Sequence, residues 1–190
     1  MMIKSILLVG VGGQGTILAS KLLTQGLLES GYDVKMSEIH GMSQRGGSVS
    51  SQVRYGEEVY SPVIERGGAD ILVSFEKMEA LRWLKYLRPD GKVVVNNYAI
   101  NPIPVTMGKC AYPADIMEEL AGKAETTMID AGAEAAKLGS TKVMNIVILG
   151  TIIRLMNLEH IDWDRIVRDN VKPDFAELNL KALEVGKGLV

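Results

Sequence analysis

An apolar run, Ile3 to Val9, passes directly into Gly10-Val11-Gly12-Gly13-Gln14-Gly15 and then into a stretch with Leu18, Leu22, Leu23 and Leu27 at helical spacing. Few folds accept that succession. A continuous apolar strand is covered on both faces and therefore lies in the middle of a sheet. A glycine turn that delivers the chain at once into a helix makes a β-loop-α unit. Gly31 closes the helix, and Tyr32 to Glu38 reads as a second strand. The expectation is an α/β fold: one Rossmann-like, doubly wound sheet.

Further along, Ser48 to Tyr55 alternates, Gly56-Glu57-Glu58 makes a tight turn and Val59-Tyr60-Ser61 starts a return strand, which predicts a β-hairpin insertion. Strands are expected over Ala69–Phe75, Lys92–Asn96 and Thr126–Asp130, with a turn at Pro89-Asp90-Gly91 and a short strand near Val105. Helices are expected over Lys77–Leu87, Pro113–Ala121, Ala131–Leu138, Val143–Leu155 and Ile161–Asn170. A last helix follows Pro173 with Phe175, Leu178, Ala182 and Val185 on one face. Repeats, linkers and low-complexity tracts are lacking, so 1–190 reads as one domain, with a core over about 1–160 and a C-terminal helical extension over about 161–190.

Composition narrows the function. The 190 residues are 47% apolar and 23% charged, the balance of a globular chain. A net charge of −2 argues against a nucleic-acid binder, which needs a basic surface to displace counterions. Cys110 is the one cysteine, whereas an iron–sulfur cluster takes about four thiolates, so the chain holds no cluster by itself. A lone cysteine fits a reducing cytoplasm. Met1 runs straight into the first strand without a leader, and the longest apolar run, Val143 to Met156, falls short of the roughly 20 residues a membrane span needs. A cytoplasmic protein without metal or membrane attachment of its own is expected.

In the first motif, Gly10 permits the sharp turn, Gly12 lets a ligand or partner backbone come close, and Gly15 lets the helix pack against the strand. The helix N-terminus at Thr16 offers free N–H groups to an anion. Glu38 ends the second strand, where a ribose-holding acid belongs. Three readings stay open: a dinucleotide, another phosphate-bearing ligand, or a turn that faces a neighbouring subunit. Gly10, Gly12, Gly13, Gln14, Gly15 and Thr16 are the candidate contacts.

The second motif is Glu38-Ile39-His40-Gly41-Met42-Ser43-Gln44-Arg45-Gly46-Gly47-Ser48, at the carboxyl edge of the expected sheet. An arginine between glycines aims a planar fork at a carboxylate or phosphate. Arg45 is thus the candidate catalytic residue, as an anion clamp or as a salt bridge at a subunit contact. Ser43, Gln44, Gly46, Gly47 and Ser48 complete the candidate binding loop. His40 reads as an acid/base group or as a loop histidine tied to backbone.

These two motifs together resemble the γ-type domain of the 2-oxoacid:ferredoxin oxidoreductases, most closely the small (beta) subunit of the indolepyruvate type. Tyr60-Ser61-Pro62, Ala69-Asp70, Phe75-Glu76 and Asn145 to Gly150 are similar too, so the resemblance spans nearly the whole chain. It implies oxidative decarboxylation of a 2-oxoacid to an acyl-CoA, with ferredoxin as acceptor and CoA as co-substrate. It places thiamine diphosphate, Mg and clusters of the 4Fe-4S type in a large (alpha) partner subunit, with this chain completing the cleft. The γ subunits of pyruvate, 2-oxoglutarate or branched-chain enzymes are alternatives, as is a stand-alone Rossmann-type nucleotide-binding oxidoreductase. The thiamine site's Gly-Asp-Gly is missing: Pro89-Asp90-Gly91 lacks the first glycine, and Asn96-Asn97 follows too soon.

Five other residues carry expectations. Glu76, at a strand end, bonds polar groups in the cleft or faces water. Asn145, in the buried helix, bonds the glycine loop, the Ser43–Ser48 loop or its own turn. Asp162 is a helix N-cap with His160 as a surface neighbour, and Cys110 is structural.

Overall fold

A computed structural model of the chain describes residues 2–40 and 47–190, without the side chain of His40. Six strands form one sheet: β1 (Lys4–Val11), β2 (Asp33–His40), β3 (Ser48–Gly56), β4 (Ala69–Ser74), β5 (Leu87–Asn96) and β6 (Glu125–Ile129), in the order β2-β3-β1-β4-β5-β6. The helices are α1 (Thr16–Glu29), α2 (Lys77–Trp83), α3 (Ile103–Thr106), α4 (Ile116–Ala121), α5 (Ala131–Lys137), α6 (Met144–Leu155), α7 (Trp163–Asn170) and α8 (Pro173–Lys187).

The apolar β1 is central, as its sequence requires. Ile6 and Leu8 point into one core with α1, α5, α6, α7 and α8. Leu7 and Val9 point into the other with α2 and α4. All four are fully buried, each contributing about 1.5–3 kcal/mol by removal from water. Helices on both faces make the sheet doubly wound.

The strand order differs from a simple dinucleotide fold in one respect. β3 lies antiparallel between β1 and β2, while β1, β4, β5 and β6 run parallel. The expected hairpin therefore pairs β3 with β2, and residues 59–61 form no return strand. Side chains of β3 explain this: Gln52 accepts a hydrogen bond from the Ile64 N–H at 2.6 Å, and Arg54 donates to the carbonyls of Ser61 and Val63 at 3.1 Å each. The following segment is thereby held across the face of β3 instead of along its edge.

Three local expectations are also revised. Val105 lies in the short helix α3. Pro89-Asp90-Gly91 falls inside β5, where the pairing jumps from Ala69–Leu87 to Ile71–Lys92 and the residues between loop out. The buried face of α8 is Ala176, Asn179, Leu180, Ala182, Leu183 and Gly186, with Phe175 53% exposed. Close approach chose that face. A Cβ on Gly186 would lie 1.9 Å from the Val147 carbonyl oxygen, and one on Gly150 would lie 2.3 Å from that of Leu183. Backbone therefore packs on backbone where α6 crosses α8. On the neighbouring flank the Trp163 ring occupies the space beside Gly26 of α1, and its indole N–H donates to the Leu158 carbonyl at 2.8 Å.

Candidate functional site

Across β2, β3 and β1 the register sets His40 beside Val49 and Val49 beside Gly10. The connection from β2 to β3, which contains the second motif, therefore emerges at the carboxyl end of β1, where the glycine loop begins. The Gly12 N–H donates to the Gly47 carbonyl at 2.9 Å and ties the glycine turn to the start of β3's approach at Gly47. Of the second motif, Gly41, Met42, Ser43, Gln44, Arg45 and Gly46 lie outside the described residues, as does the His40 side chain.

Gln14 organises the first turn. Its Oε1 accepts from the Val11 N–H at 2.8 Å and its Nε2 donates to the Phe75 carbonyl at 3.0 Å, so one side chain spans the ends of β1 and β4. Gly10 makes room for it: a Cβ there would meet Gln14 Oε1 at 2.8 Å and Phe75 Cβ at 2.9 Å. Gly15 has a positive φ of 82° and serves as the N-cap of α1. Its packing partner is Asn145 of α6 rather than the strand, and Asn145 Nδ2 donates to its carbonyl at 3.3 Å. Of the options open for Asn145, the structure selects the glycine loop. Thr16 is buried. No side chain caps α1 among the described residues, and its first turn holds no acid, so the positive end of its dipole is uncompensated at the rim.

One further amide and two carboxylates brace the same edge. Asn96, 1% exposed, donates to the Phe75 carbonyl at 3.3 Å and accepts from the Ala131 N–H at 3.0 Å. Glu76, expected to reach the cleft or water, is buried. It caps α2 by accepting from the Glu79 N–H at 2.9 Å and also accepts from Tyr112 Oη at 2.5 Å. Burial, and next the Glu76 carboxylate, push the Tyr112 phenol well above its ordinary value. Glu79, also buried, accepts from Ser48 Oγ at 2.5 Å, Arg82 at 2.6 Å and the Trp83 indole at 3.2 Å. Ser48 thus anchors the end of the second loop to α2. Sequence reading missed Asn96, Glu79 and Tyr112, whose partners are distant in the chain. The Phe75-Glu76 pair was the one visible signal.

Between these supports a cleft of about 780 Å³ opens at the carboxyl edge, lined by Gly12, Gly13 and Gln14, by Tyr98 and Ile100 after β5, and by Asp130, Gly132 and Ala133 at the start of α5. This is where open α/β sheets take ligands. Its walls do not suit a nicotinamide dinucleotide held in the usual way. β3 separates β1 from β2, which puts Glu38 roughly 10 Å, two strand spacings, from the glycine turn. Glu38 instead accepts from the buried Ser20 hydroxyl at 2.8 Å.

Among the described residues, neither Asn96 nor Cys110 is placed to serve thiamine diphosphate or a cluster. The Asn96 amide is already engaged within the sheet edge, and the single thiol, Cys110, is exposed on a loop. That position also corrects the expectation of a structural cysteine. Among the described residues no group of three or more His, Cys, Asp or Glu side chains could hold a metal. No helix among them is long and apolar enough to cross a membrane. Asp162 caps α7 through the Arg165 N–H at 3.2 Å, as expected, and His160 is exposed.

The family model described as pyruvate ferredoxin/flavodoxin oxidoreductase matches residues 5–189. The chain belongs to that family. It is 37% identical over 192 residues to the indolepyruvate oxidoreductase subunit IorB of Pyrococcus horikoshii, covering 96% of this chain and 93% of that one. Among solved structures, the keto/oxoacid ferredoxin oxidoreductase gamma subunit of Geobacter sulfurreducens shares the fold with a TM-score of 0.71 at 24% identity, covering 96% and 95% of the two chains. The 2-oxoglutarate:ferredoxin oxidoreductase of Magnetococcus marinus, solved with 2-oxoglutarate, coenzyme A and succinyl-CoA bound, superposes with a TM-score of 0.77 at 19% identity. All of this chain is covered there but only 31% of the longer polypeptide. The relatives of this chain are named as subunits of such enzymes, and a small subunit of a 2-oxoacid:ferredoxin oxidoreductase fits its length and fold.

Proposed function

We propose that this chain is the small subunit of a thiamine-diphosphate-dependent enzyme that oxidatively decarboxylates indolepyruvate, or another aryl pyruvate, to an acyl-CoA and CO2 and reduces ferredoxin. Thiamine diphosphate with its magnesium and the 4Fe-4S clusters belong to a large partner subunit, and this chain completes the cleft. The reading is supported by whole-length similarity to an indolepyruvate oxidoreductase subunit. Its main structural support is the Gly12–Gly47 hydrogen bond, which joins the end of the second motif to the glycine turn that lines the cleft. Within it, Gly13 and the bare amino end of α1 present N–H groups to an anionic group of substrate or CoA, and Gly12 lets that group come close. Arg45 adds a bidentate clamp, with Ser43, Gln44 and Gly46 as neutral neighbours. Gln14, Asn96 and Asn145 hold that rim in shape.

Co-expression with the large subunit tests the reading. Each chain alone is expected to be inactive, and the complex is expected to turn over indolepyruvate faster than pyruvate, 2-oxoglutarate or branched-chain 2-oxoacids. In that complex Arg45→Ala is expected to lower kcat/KM about tenfold or more, the loss of a charged hydrogen bond. Turnover by the small chain alone, or unchanged assembly and turnover in Arg45→Ala, would contradict it.

A further inference from the structure

Residues 97–112 run along the outside of the cleft between β5 and α4. This strap carries exposed Tyr98, Ile103 and Met107, and its one regular element, α3, is four residues long. Loops of this length need fastening if they are to keep one shape. Both ends are fastened at the first turn of α2. At the near end, the Lys77 N–H donates to the Tyr98 carbonyl at 2.9 Å, and Glu76 Oε1 accepts from the Ile100 N–H at 3.1 Å. At the far end, Tyr112 Oη donates to the same Glu76 oxygen and accepts from the Met78 N–H at 3.2 Å. The other Glu76 oxygen is held by the Glu79 N–H. One buried carboxylate thus accepts three hydrogen bonds, two of them from opposite ends of the strap. Tyr98 and Ile100 in turn line the cleft.

We propose that Glu76 is a positioning residue: by fastening both ends of the 97–112 strap it fixes the outer wall of the carboxyl-edge cleft. Glu76 acts through Ile100 and Tyr112 and touches no ligand. The fastening stands on geometry alone, whereas its consequence for ligands rests on the function proposed above.

The chemistry separates two variants. Tyr112→Phe removes the far fastening and leaves the near one. Glu76→Gln replaces an acceptor pair by one acceptor and one donor, so the amide cannot satisfy the Glu79 N–H and the strap together. Hydrogen exchange on the full chain reads the outcome at the Val105 to Lys109 amides, which are bonded within the strap. A spin label on Cys110, the chain's one cysteine and exposed, gives a second readout. In Tyr112→Phe these amides are expected to exchange about tenfold faster and the label to gain motion. The Ile100 amide and those of β1, β4 and β5 stay as in the wild type. In Glu76→Gln the Ile100 amide accelerates as well; should that variant fail to fold, Tyr112→Phe decides alone. Unchanged strap exchange in Tyr112→Phe, or sheet amides accelerating in step with the strap, would overturn the fastening. In the complex with the large subunit, Tyr112→Phe is expected to raise KM for the 2-oxoacid or CoA about threefold or more with kcat within about twofold. A loosened strap with unchanged KM would leave the fastening standing and overturn its role in the cleft.

Discussion

Replacing Gln14 by alanine removes two hydrogen bonds that join β1 to β4 at the rim, to the Val11 N–H at 2.8 Å and from the side-chain amide to the Phe75 carbonyl at 3.0 Å. The two ends are not equivalent. The Phe75 carbonyl keeps a second donor, Asn96 Nδ2, at 3.3 Å. The Val11 N–H is bonded to Gln14 Oε1, and Val11 is only 7% exposed. A net hydrogen bond is worth about 1 kcal/mol, and a stranded buried N–H costs about 1–3 kcal/mol. Water reaching the opened rim offsets part of the second figure, so Gln14→Ala should lose about 2 kcal/mol. Urea denaturation of the purified chain measures this as a lower midpoint at unchanged m-value. The corresponding fall in Tm is about 4–8 °C for a chain of this size. The loss is expected without ligand or partner, because Gln14 works inside the chain. A change below about 0.5 kcal/mol would refute the assignment and return Gln14 to the residues that face a ligand.

Two more substitutions follow from packing and from titration. Gly186→Ala forces a methyl against the Val147 carbonyl, with backbone on both sides. It should cost about 3 kcal/mol or more by denaturation, whereas Gly188→Ala, whose nearest neighbour would lie 3.5 Å away, should stay within about 0.5 kcal/mol. Tyr112 contributes stability as the neutral phenol, and its folded pKa is raised above the unfolded value near 10. Above that pH the unfolded chain binds fewer protons than the folded one, so this contribution is full below about pH 10 and declines as pH rises toward the folded pKa. Stability of Tyr112→Phe should therefore fall less steeply than wild type above about pH 10, with Tyr55, also raised by burial, and Tyr60, raised by its hydrogen bond with Glu58, contributing to the slope that remains.

Local periodicity made β1, the glycine turn, α1 and β2 legible, because each depends on residues close in sequence. The place of β3 was not legible that way. Its alternation states that it is a strand and says nothing about which neighbour it joins. The choice is made by Gln52 and Arg54, whose side chains hold residues 61–64 off the strand's edge. The face of α8 was misjudged for a related reason: apolar bulk pointed to Phe175 and Leu178, whereas the crossing with α6 selects the small Ala182 and Gly186. At the site, Asn145 could be tied to the glycine loop as one option because a buried amide must find a partner. The role of Glu76 stayed hidden because Ile100 and Tyr112 lie 24 and 36 residues away.

Hydrogen exchange of this chain, free and assembled with its large subunit, reads the arrangement of the two turns in a single comparison. Amides of Val11 to Gly15 and of residues 41–48 should become protected together, with the amino edge around Lys4, Asp70 and Lys92 unchanged. Protection confined to that amino edge, with both turns exchanging as in the free chain, would contradict a rim that completes the partner's active site.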